Sequence, residues 1–358
     1  MRESDQVVEK NENEIASQGT VGLSQKQIIR KRFVKHKAAM GSLFALIFII
    51  VFVFTATGLQ FGNNENPTIV KGWWKYAITD IDPEGAVAAS CNGGVTGCPT
   101  LDIAPSFIDG DGVQIGEHPF GTDIIGTDYF ALVVRGAQQS ILVMLIVGFL
   151  GVGIGTTVGA IAGYYGGIVD AVLMRLTDMF LVTPTIIIGA VIGFKFGNFG
   201  VIPLALLLGF FAWMGLARFV RTEFLTLRER EFVDAARVAG ASDRRIIFKH
   251  ILPNAIGVII VSGTLLMSGA ILAESALSYL GFGVKPPDVS LGLLISQYQD
   301  TFSISPWLFW WPGTLIVSIA LCVNFIGDGL RDAFDPRQRK HVSFKDRKRA
   351  RELDGKRR

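Results

Sequence analysis

Few residues in this chain have the types and spacing that covalent chemistry needs. The four histidines, His36, His118, His250 and His341, fall on separate segments. There is no Ser/His pair, paired carboxylate or HExxH arrangement, and no Cys/His cluster has metal-ligand spacing. Two cysteines, Cys91 and Cys98, are separated by six residues in SCNGGVTGCPT, and the Gly-rich intervening chain can turn back on itself. A disulfide between them would add on the order of 2–3 kcal/mol. Cys322 lies inside an apolar block, where packing is its expected role. Glu274 is the strongest ionisable candidate within an apolar block. It sits near one end of that block beside Ser275, so a pathway-lining or structural role is expected rather than ion coupling. The stretch richest in chemistry is EFVDAARVAGASDRRIIFKHILP, residues 231–253. Its chemistry is that of contact: a charged, helix-prone hairpin with apolar faces, set between two long apolar segments.

The elements around it are membrane-sized. Half of the 358 residues are apolar and 18% are charged, against ~25% charged in an average soluble domain. Mean hydropathy is +0.42. The apolar residues come in blocks at 39–60, 139–163, 178–194, 201–220, 255–276 and 307–327, and about 20 residues cross a bilayer. Pro184, Lys195, Asn198 and Pro203 interrupt the third and fourth. The first block lacks a small-residue cleavage site and reads as a retained anchor. Six transmembrane helices are expected, in an all-α integral membrane protein.

Basic residues orient the chain. With both termini inside, the inner segments hold 29 Lys and Arg and the outer ones five: Lys71, Lys75, Arg135, Lys195 and Lys285. Eight of the inner ones lie between Arg218 and Lys249, so the hairpin is expected in the cytoplasm. The expected organisation is a cytoplasmic tail (1–38), a first membrane helix (39–60), a large extracytoplasmic loop (61–138), a membrane domain (139–330) carrying the hairpin (229–253), and a basic cytoplasmic tail (331–358). The loop holds ten acidic and three basic residues. Trp73 and Trp74 suit a membrane interface. The net charge of +3 is no nucleic-acid signal. The basic tail reads as a solvated segment near anionic lipid heads.

Glu229 to Ala239 favours a helix by propensity. Gly240 is a stop signal, and Ser242 is suited to cap a second helix, 243–252, ending at Pro253. Phe232, Val233, Ala236, Ile246, Ile247 and Ile251 give both helices apolar faces that so short a unit cannot bury alone. They must pack beneath the membrane helices or enter a groove on another protein. Ala235, Ala236 and Gly240 permit close approach, and Arg237, Arg244, Arg245 and Lys249 offer a basic rim. In the second block, Gly151, Gly155, Gly159, Gly163 and Gly167 recur every four residues. That spacing lines one helix face and lets a neighbouring helix approach closely. No GKS or GKT follows, so phosphate binding is excluded there. Asp170, Arg175 and Asp178 have spacings suited to bracing helix ends.

DAARVAGASDRRIIFKHILP resembles the EAA loop of permease subunits in type I ABC importers. Asp234, Ala235, Ala236, Gly240, Leu252 and Pro253 fit its register, with Asp234 in place of Glu and His250 in place of Ile. HPFGTDIIGTDYFALVVRGAQQSI, AGYYGGIVDAVLMRLTD, AESALSYLGFGVKPPDVSLG and NFIGDGLRDAFDPR follow in the order found in C-type permeases of oligopeptide and dipeptide importers. Thr127 and Gln138 each replace an Arg, and Val289 and Leu291 replace Pro and Trp. The resemblance implies a B-type permease partner, two ABC ATPase subunits or one two-domain ATPase, and an extracytoplasmic peptide-binding protein. It implies ATP and Mg in the ATPases and no cofactor in this chain. The cargo it implies is peptide, with nickel, haem or glutathione as alternatives. An ion-coupled carrier is disfavoured because the helix centres are nearly bare of ionisable groups.

Overall fold

The computed structural model describes residues 25–59, 70–81, 97–102 and 114–334. Cys91 lies outside them; Cys98 is disulfide-bonded and Cys322 is a buried free thiol.

The chain starts with α1 (Gln25–Lys35) and α2 (Lys37–Ala56), joined at His36. The extended backbone of His36 breaks the helix, and its Nδ1 accepts from Ala39 N at 3.1 Å, capping α2. Two antiparallel ladders of two-residue strands follow: β1 (Gly58–Leu59) with β2 (Val70–Lys71), and β3 (Leu101–Asp102) with β4 (Gln114–Ile115). The described elements that follow are helices: α3 (Tyr129–Tyr165), α4 (Gly167–Val182), α5 (Thr185–Phe196), α6 (Val201–Phe210), α7 (Met214–Arg228), α8 (Glu231–Val238), α9 (Asp243–Tyr279), α10 (Leu291–Tyr298) and α11 (Trp307–Phe334).

Five helical stretches are long and apolar enough to cross a membrane: α2, α3, α6 with α7, α9 and α11. The bent pair α4–α5 makes a sixth if counted as one span. The apolar block expected at 178–194 is thus bent at the proline that interrupts it. Pro184 holds Thr183 extended, and the chain turns by 76° between the two halves. The 61–138 loop is corrected, because α3 begins at Tyr129. At 37 residues α3 is about 55 Å long, well over the ~30 Å of a hydrocarbon core. Its first turns are sheathed in protein, which is why Arg135, Gln138 and Gln139 are buried there.

That sheath forms one end of the molecule, the loop face. Asp128 caps α3: its Oδ2 accepts from Ala131 N at 2.9 Å and Trp74 Nε1 at 2.7 Å, while Oδ1 lies 2.8 Å from His118 Nδ1. Phe120 stacks on Trp311 with ring centroids 4.0 Å apart. Burial, then the neighbouring Asp123 that accepts its hydroxyl proton, pushes the Tyr298 phenol up.

Gln138 ties α2 to α3. Its Nε2 donates to the carbonyls of Val53 and Gly58 at 2.9 Å and contacts Thr57 Oγ1 at 3.0 Å. Its Oε1 accepts from Arg135 Nη1 at 2.9 Å. Gln138→Leu takes the side-chain donor away from the Val53 and Gly58 carbonyls at the end of α2, at about 1–3 kcal/mol for a buried group left unsatisfied. A drop in the thermal midpoint of the purified protein in detergent is expected. An unchanged midpoint would show that this amide is dispensable.

Candidate functional site

The hairpin sits at the end opposite the loop face. Arg230 is extended, so the first hairpin helix starts at Glu231 rather than Glu229. It ends in a Schellman turn: Gly240 N bonds Arg237 O, Ala241 N bonds Ala236 O, and Gly240 takes φ +76°. Ser242 occupies the next cap position, but its side chain makes no capping bond.

The expected stop at Pro253 is also corrected. The second helix runs on into the membrane span α9 through a π turn, Ile246–Ile251. Proline lacks an N–H and crowds the preceding turn. The wider register absorbs this, with Leu252 N bonding Ile247 O, and Asn254 Nδ2 donating to His250 O at 2.7 Å. Hairpin and span thus form one continuous lever.

The apolar side chains divide in two. Val233, Ala236, Ile246, Ile247 and Ile251 are buried against Ala160 and Tyr164 of α3 and Leu216, Val220 and Phe224 of α7. Val238 is 91% exposed and Phe248 64% exposed. Phe232, Asp234, Ala235, Arg237, Gly240, Arg244, Arg245 and Pro253 are also exposed, while His250 and Leu252 are half-buried. Asp234 pairs with Arg237 at 3.0 Å. A Cβ on Gly240 would meet nothing within 4 Å. The outward face therefore presents apolar side chains beside Arg237, Arg244 and Arg245. Sequence reasoning did not single out Val238 as a contact residue. Its signal was position: it lies off the Val233–Ala236 stripe yet is apolar.

Polar ties make the base of the hairpin rigid. Tyr164 Oη donates to Asp243 Oδ1 at 2.7 Å, and Arg228 Nη1 donates to the Tyr164 carbonyl at 3.1 Å. A Cβ on Gly166 would stand 2.8 Å from that guanidinium. Asp170 takes both Arg221 Nε and Nη2 at 2.5 Å, and Asp178 pairs with Arg218. These carboxylates brace α4 against α7. Arg175 is exposed.

The glycine ladder carries α7. A Cβ on Gly155, Gly159 or Gly163 would come within 2.8 Å of atoms of Leu216, Ala217 or Phe224, and one on Gly151 would reach Leu266 at 3.1 Å. Gly167 leaves the ladder, because α3 ends at Tyr165 and Gly166 turns the chain with φ +66°.

Glu274 is 1% exposed. It accepts hydrogen bonds from Ser140 Oγ at 2.9 Å and Ser278 Oγ at 2.7 Å, and so cross-links α3 and α9. Within the single chain it lines no open surface. Among the described residues no group of three His, Cys, Asp or Glu could hold a metal.

The described residues form a polytopic helical membrane protein with a braced, outward-facing hairpin. The profile described as "Binding-protein-dependent transport system inner membrane component" matches residues 155–340. That of the "N-terminal TM domain of oligopeptide transport permease C" matches residues 24–68. The chain belongs to this family, as a C-type permease. It is 37% identical over 317 residues to the "Oligopeptide transport system permease protein OppC" of Mycobacterium tuberculosis, covering 88% of this chain and 96% of that protein. It is 40% identical over 308 residues to a "putative peptide permease protein" of Brucella suis, covering 86% and 89%. A solved structure of the MetNI methionine ABC transporter in inward-facing conformations aligns with TM-score 0.47 and 22% identity over 57% of this chain and 96% of that one.

Proposed function

We propose that this chain is the C-type permease subunit of an ABC importer for peptides. It pairs with a B-type permease, receives cargo from an extracytoplasmic binding protein, and is driven by partner subunits that bind ATP and Mg. The carrying observation is the hairpin: Val238 and Phe248 are apolar and exposed on a unit locked to α3 and α7. Exposed side chains of this size on a braced support are what a groove on an ATPase can grip. Motion imposed there passes into α7 and α9 without a flexible joint. The relatives named as peptide permeases, and the C-type profile at 24–68, favour peptide over metal or haem cargo. Uptake of a labelled tripeptide library by cells should require this chain and should vanish when the partner ATPase is inactivated. Uptake that persists without hydrolysis would indicate an ion-coupled carrier instead.

The reading places the hairpin face in the cytoplasm. Thr79 and Ser242 are both exposed, at opposite ends of the molecule. In whole cells, a cysteine at Thr79 should react with an impermeant thiol reagent and one at Ser242 should not. Reaction only at Ser242 would reverse the orientation.

A further inference from the structure

The break at His36 turns the chain at the edge of the membrane. With 20 residues, α2 is about 30 Å long, which matches the hydrocarbon core and puts Lys37 at its boundary. α1 does not carry the axis of α2 past that boundary. The His36 backbone is extended, with ψ 96°, and α1 packs across the end of α11. Phe33 and His36 lie beside Gly329, and His36 Nε2 is 3.4 Å from Asp332 Oδ2. Ile29 and Phe33 border a groove at the hairpin end, together with Gly257 of α9 and Phe334 of α11. α1 therefore runs along the membrane face, over the ends of two spans.

Its two faces differ. Ile29, Phe33 and His36, spaced i, i+4 and i+7, turn inward and are half-buried. Ile28, Lys31, Val34 and Lys35 fall on the other side and are exposed, Ile28 by 38% and Val34 by 53%. No carboxylate among the described residues forms an ion pair with Lys31, Lys35 or Lys37. From Gln27 to Ala38 the sequence has no acidic residue. Lysines beside apolar side chains suit the headgroup layer, where the apolar groups enter the acyl boundary and the ammonium groups reach phosphates. Two other segments of this chain compete for the face by proximity. Residues 335–358 carry eleven basic and four acidic residues, so like charge keeps them away. Residues 1–24 carry five acidic and two basic residues. Their acids end at Glu14, so they reach Lys31 only by closing a loop, whereas lipid phosphates already stand at the level of Lys37.

We infer that the outward face of α1 binds anionic phospholipid of the inner leaflet, with Lys31, Lys35 and Lys37 on the phosphates and Ile28 and Val34 against the acyl chains. The lipid then holds α1 against the ends of α9 and α11, and becomes a structural partner of the hairpin end. The choice of leaflet rests on the reading that puts the hairpin face in the cytoplasm. The binding itself does not depend on the cargo.

The test uses the full chain with Cys322→Ser and Val34→Cys, labelled with bimane at position 34 and placed in phosphatidylcholine nanodiscs. Brominated phosphatidylglycerol or brominated phosphatidylcholine is added at the same mole fraction, and quenching of the bimane is compared. Each lysine held at an anionic surface favours it by about fivefold, so phosphatidylglycerol should quench several-fold more strongly. High salt should remove that preference. So should Lys31→Gln, Lys35→Gln and Lys37→Gln combined, with the thermal midpoint in phosphatidylcholine unchanged. Equal quenching by the two lipids in the parent protein would overturn the proposal. If the preference then emerged on deleting residues 1–24, the acidic tail would be the occupant instead. A preference that survives the three substitutions would place the anionic lipid elsewhere on the chain and would overturn the proposal as well. Both leaflets of the disc carry the same lipid, so the result is independent of orientation, which the Thr79 and Ser242 labels test alone.

Discussion

Val238→Asp should detach the partner ATPase while leaving the membrane domain folded. Val238 is 91% exposed, so the substitution removes little contact within this chain. On the proposed docking it would place a carboxylate against an apolar groove, and well-packed anchors of interfaces cost ~2 kcal/mol or more when lost. That corresponds to about thirtyfold weaker docking. Co-purification of the ATPase and cargo-stimulated hydrolysis should both fall, and the thermal midpoint of the isolated permease should not. Gly240→Leu should act on the same readouts by another route. The φ of +76° there is strained for any residue with a Cβ, and the added side chain would project into the open space that a partner would occupy. Unchanged co-purification for both variants would remove the hairpin from the coupling path.

The residues that made the hairpin legible are those with backbone consequences. Gly240 announced a left-handed turn, and the charged helix between apolar blocks announced a surface element. Pro253 misled for a physical reason. A proline ends a helix unless the register widens, and nothing in residues 246–251 signals a π turn, since it is a matter of hydrogen-bond bookkeeping rather than of side-chain type. The apolar blocks were legible because their length matches a bilayer. The 76° bend at Thr183–Pro184 was not, since a proline can kink a span or end it, and neighbours decide which. Long-range ties were out of reach for the same reason. Arg221 with Asp170, Gln138 with the end of α2, and Ser140 with Glu274 each join residues 51 or more positions apart. A sequence read by local period cannot pair them.

Gly159→Leu should unseat α7 from α3 and destabilise the membrane domain. A Cβ on Gly159 would lie 2.4 Å from the Ala217 carbonyl oxygen, 2.8 Å from Val220 Cβ and 3.0 Å from Arg221 N. Two of those three atoms are backbone, so no rotamer change relieves the clash and the helices must part. Overpacking of this kind costs about 1–3 kcal/mol where side chains can yield, and the upper end is expected where they cannot. Separation would also stretch the Asp170–Arg221 clamp and lift Val220 and Phe224 from the hairpin's buried face. Coupling should therefore weaken together with stability, which distinguishes this variant from Val238→Asp. Gly153→Leu supplies the control, because a Cβ there meets nothing within 4 Å. Its cost should stay within ~0.5 kcal/mol, as for an ordinary surface change. Thermal unfolding of both variants in detergent, with ATPase co-purification measured in parallel, reads the two effects. Equal midpoints for Gly159→Leu and Gly153→Leu would mean that the ladder does not hold α7 in place. A lower midpoint for Gly159→Leu with full ATPase binding would mean that the hairpin keeps its shape without the α3–α7 seam, and that the seam serves the fold alone.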